Sequence, residues 1–206
     1  MSEELELEDH GTTVLAISVE EGIVFAADRK TSRGFLIASK DSQKIRKINK
    51  RAIFTRVGSV ADSQDIEKHL RRESKTYRLR RGRQMSVETL AEVGSNKVRD
   101  GRYRTAPIIG GVDEEGSHIY TLDSAGSILY ENQFTSSGSG SKVAYGTLES
   151  NYSMDMDVEN ARSLAIDSIS AATERDNMTG CGITIGSVTE DDGVRIDSYS
   201  RITDAT

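Results

Sequence analysis

The sequence is poor in the residues that mark zinc sites, disulfide frameworks and flexible linkers. Among 206 residues there is one cysteine, Cys181, one proline, Pro107, and no tryptophan. One cysteine allows no internal disulfide and suits a reducing, cytoplasmic setting. It also excludes thiolate zinc sites, and His10, His69 and His118 are scattered without ligand spacing. Neither a metal nor a cofactor is expected. A single proline leaves no Pro-rich hinge. No run approaches the ~18 apolar residues of a membrane helix. The opening MSEELELEDHG lacks the apolar stretch of a secretory signal. Positive charge does not dominate either. Lys+Arg is 27 against 33 Asp+Glu, a net charge of −6, which argues against bulk nucleic-acid binding. The expected partners therefore include neither nucleic acid nor membrane.

What is present suits one domain. Hydrophobic residues make up 35% and glycine adds 18 positions, enough for a core at this length. The acidic tail ends abruptly at Thr12. Residues 13–28, TVLAISVEEGIVFAAD, hold two apolar, β-rich runs around Glu20-Glu21-Gly22, the pattern of a hairpin. Short β-type runs follow at Phe35–Ala38, Lys44–Ile48 and Ala52–Val57, and Gly58 breaks the pattern. Helical spacing then takes over. Ile66, Leu70 and Tyr77 share one face, and Ser86 is placed to cap a second helix through Leu90, Val93 and Val98. Strands return at Ala106–Val112, His118–Leu122 and Ser127–Tyr130. The stretch Ser136–Ser141 reads as a Gly/Ser connection before a helix bearing Val143, Leu148 and Tyr152. Val158–Thr173 is amphipathic, and Cys181–Val188 with Val194–Tyr199 reads as a last hairpin around Asp191-Asp192-Gly193. Grouped strands and grouped helices argue for a layered α+β fold rather than alternating βαβ units.

Several motifs carry chemistry. Gly11-Thr12-Thr13 alone reads as a loop-to-strand transition. The sharper reading is a cleavage seam that would leave Thr12 N-terminal, with a hydroxyl nucleophile and its own α-amine as base. That amine has a reference pKa of about 7.7–8, so much of it is neutral near pH 7. Asp28 and Lys44 could pair, each otherwise a surface charge. A lysine near the hydroxyl would lower its pKa by Coulombic attraction. Gly58 could offer a backbone N–H to an oxyanion, or could simply end a strand. Gly138-Ser139-Gly140-Ser141-Lys142 lacks the order of a phosphate loop. Cys181 reads as a buried thiol in an apolar strand. The basic segment Lys68–Arg83 reads as a solvated helix face or a subunit contact.

The segments GTTVLAI, GIVFAADRKTSRG, KIRKI, TRVGSVADSQ, SSGSGSKVAYGTLESNY and RDNMTG resemble, in order and spacing, those of proteasome β-subunits of the archaeal type. The resemblance runs from Thr12 onward. It implies a four-layer αββα sandwich of the N-terminal nucleophile hydrolases. It implies a threonine endopeptidase, with residues 1–11 as a propeptide removed by self-cleavage and 12–206 as the catalytic domain. Thr12 becomes the nucleophile, Asp28 and Lys44 its charged partners, and Gly58 the oxyanion donor. Ser139 and Asp176 are the supporting pair. Thr179 stands where a serine is usual, keeping the hydroxyl and adding a methyl. Ser32, Arg56 and Val60 are the implied substrate-binding positions. The implied assembly is a homo-oligomer in heptameric β-rings capped by α-subunit rings, fed unfolded polypeptide by an ATP-dependent unfoldase.

Two alternatives stand beside this reading: the two-ring bacterial relative, and a β-subunit that only completes a ring. The first is usually a shorter chain, and its region after the GSG loop reads differently. The second would be expected to lose Thr12, Asp28 or Lys44, and all are present. Arg56, two residues before Gly58, resembles the arginine of the caspase-like subunit, where archaeal relatives more often have an apolar residue. The expectation is cleavage after Glu or Asp, because a guanidinium takes a carboxylate bidentately. Its methylenes could instead meet an apolar side chain, giving mixed specificity.

Overall fold

A computed structural model describes residues 11–205. The predicted hairpin forms as β1 (Thr13–Val19) and β2 (Gly22–Asp28). Strands β3 (Thr31–Arg33), β4 (Leu36–Ser39), β5 (Ile45–Asn49) and β6 (Ala52–Thr55) follow. Next come helices α1 (Val60–Arg81) and α2 (Val87–Gly101), then strands β7 (Ile108–Asp113), β8 (Gly116–Leu122), β9 (Ile128–Glu131) and β10 (Phe134–Gly138). Helices α3 (Ser141–Asn151) and α4 (Val158–Arg175) precede the last hairpin, β11 (Ile183–Thr189) and β12 (Gly193–Tyr199).

The strands make two five-stranded sheets, ordered β10-β1-β2-β11-β12 and β5-β6-β7-β8-β9, and a small β3–β4 hairpin. Side-chain alternation along β1 explains the stacking. Leu15, Ile17 and Val19 join Leu148, Leu164 and Ile169 under α3 and α4. Val14 and Ala16 point the other way, meeting Ile53, Ile108 and Ile119 between the sheets. The second sheet turns Phe54, Ile109 and Leu122 toward Ile66, Leu70 and Leu90 of α1 and α2. Three apolar seams thus separate four layers, αββα. Strands covered on both faces explain the near-continuous apolar runs of β1 and β2. Gly110 lets the sheets approach: a Cβ there would meet the Phe25 ring at 2.7 Å. Among the described residues no helix is long and apolar enough to cross a membrane.

The structure corrects two readings. The first half of the Gly/Ser connection, Ser136–Gly138, is strand: β10 pairs with β1 from Thr13↔Gly138 to Ile17↔Phe134. Its hydroxyls are absorbed locally, Ser136 donating to Val14 O at 2.9 Å and Ser137 to Ala106 O at 2.8 Å. Cys181 lies outside β11 and is half-exposed. Gly180, Cys181 and Gly182 have φ of 148°, 63° and 97°, so the chain there cannot run as a strand. The short β3 was not anticipated, and Phe35 sits in the turn before β4.

Candidate active site

Sheet register brings the predicted residues to one end of the sandwich. Thr12 precedes β1, Asp28 ends β2 and Ser139 follows β10, all on the first sheet. Lys44 and Arg56 flank the β5–β6 hairpin of the second sheet, where Arg56 N donates to Lys44 O at 2.7 Å. Gly58 sits in the turn into α1. The loop after α4 supplies Asp176 and Thr179. A narrow recess of about 20 Å³ is lined by Gly11, Thr12, Thr31, Ser42, Lys44, Arg56, Gly58 and Val60. That volume holds roughly one water.

Asp28 is fully buried and its carboxylate is saturated. Oδ1 accepts from Lys44 Nζ at 2.6 Å and Thr13 N at 2.9 Å. Oδ2 accepts from Lys30 N at 3.0 Å and Gly180 N at 3.1 Å. Three backbone donors therefore fix the carboxylate, and the carboxylate fixes the ammonium. Burial is the larger influence on Lys44 and pulls its pKa below the ordinary 10.5, although Asp28 opposes it.

A second network runs on the other side of Thr12. Thr12 N donates to Ser139 Oγ at 3.2 Å, and Ser139 donates to Asp176 Oδ2 at 2.5 Å. Thr179 donates to the same oxygen at 2.6 Å, and lies 2.7 Å from Thr13 Oγ1. With the Thr179 proton on Asp176, Thr13 must be the donor to Thr179. Burial works to raise the Asp176 pKa, but the Ser139 and Thr179 hydrogen bonds, aided by Met178 N–H and nearby Lys30, outweigh it and hold the carboxyl low.

Glycines set how closely the strands approach Thr12. Gly138, at φ 100°, passes so near that a Cβ would lie 2.0 Å from Thr12 O. A Cβ on Gly11 would lie 1.9 Å from Met178 Cβ. Gly58 has φ 76°, and no described residue accepts from its N–H. It adjoins the N-terminus of α1, whose dipole favours negative charge.

The substrate-binding expectations fall differently. Val60 opens α1 at the rim of the recess and is exposed. Ser32 is buried in β3, and its neighbour Thr31 lines the recess instead. Arg56 lines the recess but is also tied to Glu67 of α1, by Nε at 2.8 Å and Nη2 at 2.5 Å. Sequence reading missed Glu67, Thr13 and the backbone donors of Lys30 and Gly180. Glu67 was detectable, because it falls on the buried face of α1 with Ser63, Ile66 and Leu70.

A family model described as "Proteasome subunit" matches residues 8–188. The chain belongs to the proteasome subunit family. It is 41% identical over 197 residues to a "Proteasome subunit beta" of Halorhabdus utahensis, covering 95% of this chain and 83% of that one. It is 44% identical over 192 residues to the one of Haloferax volcanii, covering 93% and 78%. It is 42% identical over 195 residues to the one of Methanothermobacter thermautotrophicus, covering 93% and 92%. The four layers are those of the proteasome sandwich, and the recess lies where strand ends of both its sheets meet.

Proposed function

We propose that this proteasome subunit is a threonine endopeptidase that activates itself by cutting Gly11–Thr12. One observation carries the reading: Thr12, Lys44 and Gly58 line a single recess, with Lys44 held by the buried, saturated carboxylate of Asp28. In the uncut chain Thr12 N is an amide. The Thr12 hydroxyl attacks the Gly11 carbonyl, its proton passes to the departing nitrogen, and an ester forms. Water then hydrolyses the ester, releasing residues 1–11 and a free amine beside Ser139.

In turnover that amine takes the hydroxyl proton as Thr12 attacks a peptide carbonyl. The buried ammonium of Lys44 stabilises the alkoxide, and the Gly58 N–H receives the oxyanion. The amine then protonates the leaving group, and water hydrolyses the acyl-enzyme. Ser139, Asp176 and Thr179 hold the amine in place. Arg56, at the same recess, gives a preference for Glu or Asp before the cut.

The relatives are named as subunits. By analogy this chain forms heptameric β-rings with copies of itself, capped by α-subunit rings and fed unfolded chains by an ATP-dependent unfoldase in the cytoplasm. The exposed apolar run Phe35-Leu36-Ile37, from the turn into β4, supports a neighbour in the assembly. The test is hydrolysis of fluorogenic peptides by the assembled particle. The parent should cleave and Thr12→Ala should not. Equal cleavage by both would move the nucleophile elsewhere.

A further inference from the structure

Glu67 is a carboxylate in an unusual place. Its side chain is 3% exposed on α1, and three arginines converge on it. Arg46 Nε donates to Oε1 at 3.0 Å, and Arg71 Nη2 lies 3.0 Å from the same oxygen. Arg56 donates to Oε2 through Nε at 2.8 Å and Nη2 at 2.5 Å. Three positive charges against one negative leave a surplus of two. Arg46 and Arg71 have second anchors, Gln43 Oε1 at 2.9 Å and Lys47 O at 2.8 Å. Of the three arginines, Arg56 is the one that lines the recess with Thr12.

A guanidinium is planar and presents two bidentate edges. The Nε–Nη2 edge of Arg56 is occupied by Glu67, which leaves the Nη1–Nη2 edge for a second carboxylate. Glu67 thus fixes the plane of the guanidinium without cancelling the local charge. It also removes the rotamer freedom that would let a half-buried arginine fold back to water.

We infer that Glu67 is a specificity-positioning residue, which holds Arg56 so that its free edge receives an acidic substrate side chain while Arg46 and Arg71 keep the cluster positive. This rests on the peptidase reading and on the place of Arg56 in it.

The test compares matched fluorogenic peptides ending in Glu and in Tyr, using the assembled particle. The readout is the ratio of their kcat/KM values for the parent, Glu67→Gln, Arg56→Met and the double variant. The parent should favour Glu. Glu67→Gln should lower the Glu/Tyr ratio about tenfold, mostly through KM for the acidic peptide. A glutamine offers one acceptor oxygen and cannot serve all three arginines. The double variant should match Arg56→Met, because Glu67 acts through Arg56. An unchanged or higher ratio in Glu67→Gln would overturn the inference, as would an equal drop in the Arg56→Met background. If Glu67→Gln does not assemble, Glu67→Asp carries the test. It keeps the anion but loses reach, and should lower the ratio about threefold. No change there would equally overturn the inference. If the parent cleaves neither peptide, the peptidase reading itself has failed. If the parent cleaves both and only the Glu67 dependence is missing, the inference alone has failed.

Discussion

Asp28 and Glu67 are both buried carboxylates near the recess, yet they are built for opposite ends. Asp28 takes three backbone N–H groups and one ammonium, so its position follows from the strands and one charge cancels one charge. Glu67 takes three guanidiniums and no backbone donor that would tie it to the sheet, so charge remains in excess. A cancelled, backbone-locked pair suits chemistry, where a single ammonium must not move. A surplus held by side chains suits binding, where a ligand completes the set.

Breaking the first carboxylate should have the larger effect. Asp28→Asn strands the Lys44 ammonium in a dry site, and losing one partner of a buried pair costs about 3–5 kcal/mol. Thermal melting should register this as a large drop in Tm. Glu67→Gln should cost about 1–2 kcal/mol in the same melt, because side chains of Arg46, Arg56 and Arg71, 25%, 22% and 41% exposed, can turn toward water. Equal losses would erase the distinction.

Lys44→Ala breaks the same pair from the other side but leaves Asp28 its three backbone donors, so it should cost less stability than Asp28→Asn while removing the charge the chemistry uses. Turnover should fall roughly a hundredfold or more, about 3 kcal/mol of electrostatic support, in a particle that still assembles. Lys44→Arg should not restore the rate, since a planar fork cannot replace a compact ammonium. Thr179→Val sharpens the second network. It leaves the Thr13 hydroxyl without its acceptor and removes one donor from Asp176, and should cost about 1–2 kcal/mol of stability by melting. Thr179→Ser should stay close to the parent.

pH distinguishes the two regions further. The Lys44 pKa is lowered by burial, so the folded chain loses that proton before the unfolded chain does. Between the lowered value and 10.5 the unfolded state binds more protons, and the Lys44 contribution to stability rises with pH. Activity should move the opposite way, because the proposed chemistry needs the ammonium. The alkaline limb of kcat/KM should therefore fall below 10.5, the ordinary lysine value. Asp28, Asp176 and Cys181 are the charged or titratable groups acting on Lys44 there.

Much of this was legible in the sequence because strand ends carry the site. Asp28 closes an apolar run, and the β-type run read from Lys44 starts one residue before β5 itself, so both positions could be placed at strand ends. What paired them was the resemblance to a family, since nothing local tells β2 to lie near β5. The β10 strand was obscured by Ser136, Ser137 and Gly138, small polar residues whose hydroxyls are satisfied only once β1 and Ala106 are alongside. Cys181 was misread because its positive φ comes from a tight turn between two glycines, which leaves no trace in hydrophobicity. Glu67 was overlooked because a charge on a helix usually faces water, and its three arginines come from separate places in the chain. A groove of about 960 Å³ bounded by Arg51, Arg78, Asp113 and Glu190 is far larger than the recess beside Thr12, yet Thr12, Asp28 and Lys44 take no part in it.

Under the proposed function, Thr12 cuts its own chain and then serves as the nucleophile. Intact mass of the purified assembly tests it most directly, with the parent and Thr12→Ala measured side by side. The parent subunit should have lost residues 1–11 and begin at Thr12, while Thr12→Ala should retain its full length. A Thr12→Ala chain trimmed at Gly11, or a parent that hydrolyses peptides with residues 1–11 still attached, would contradict it.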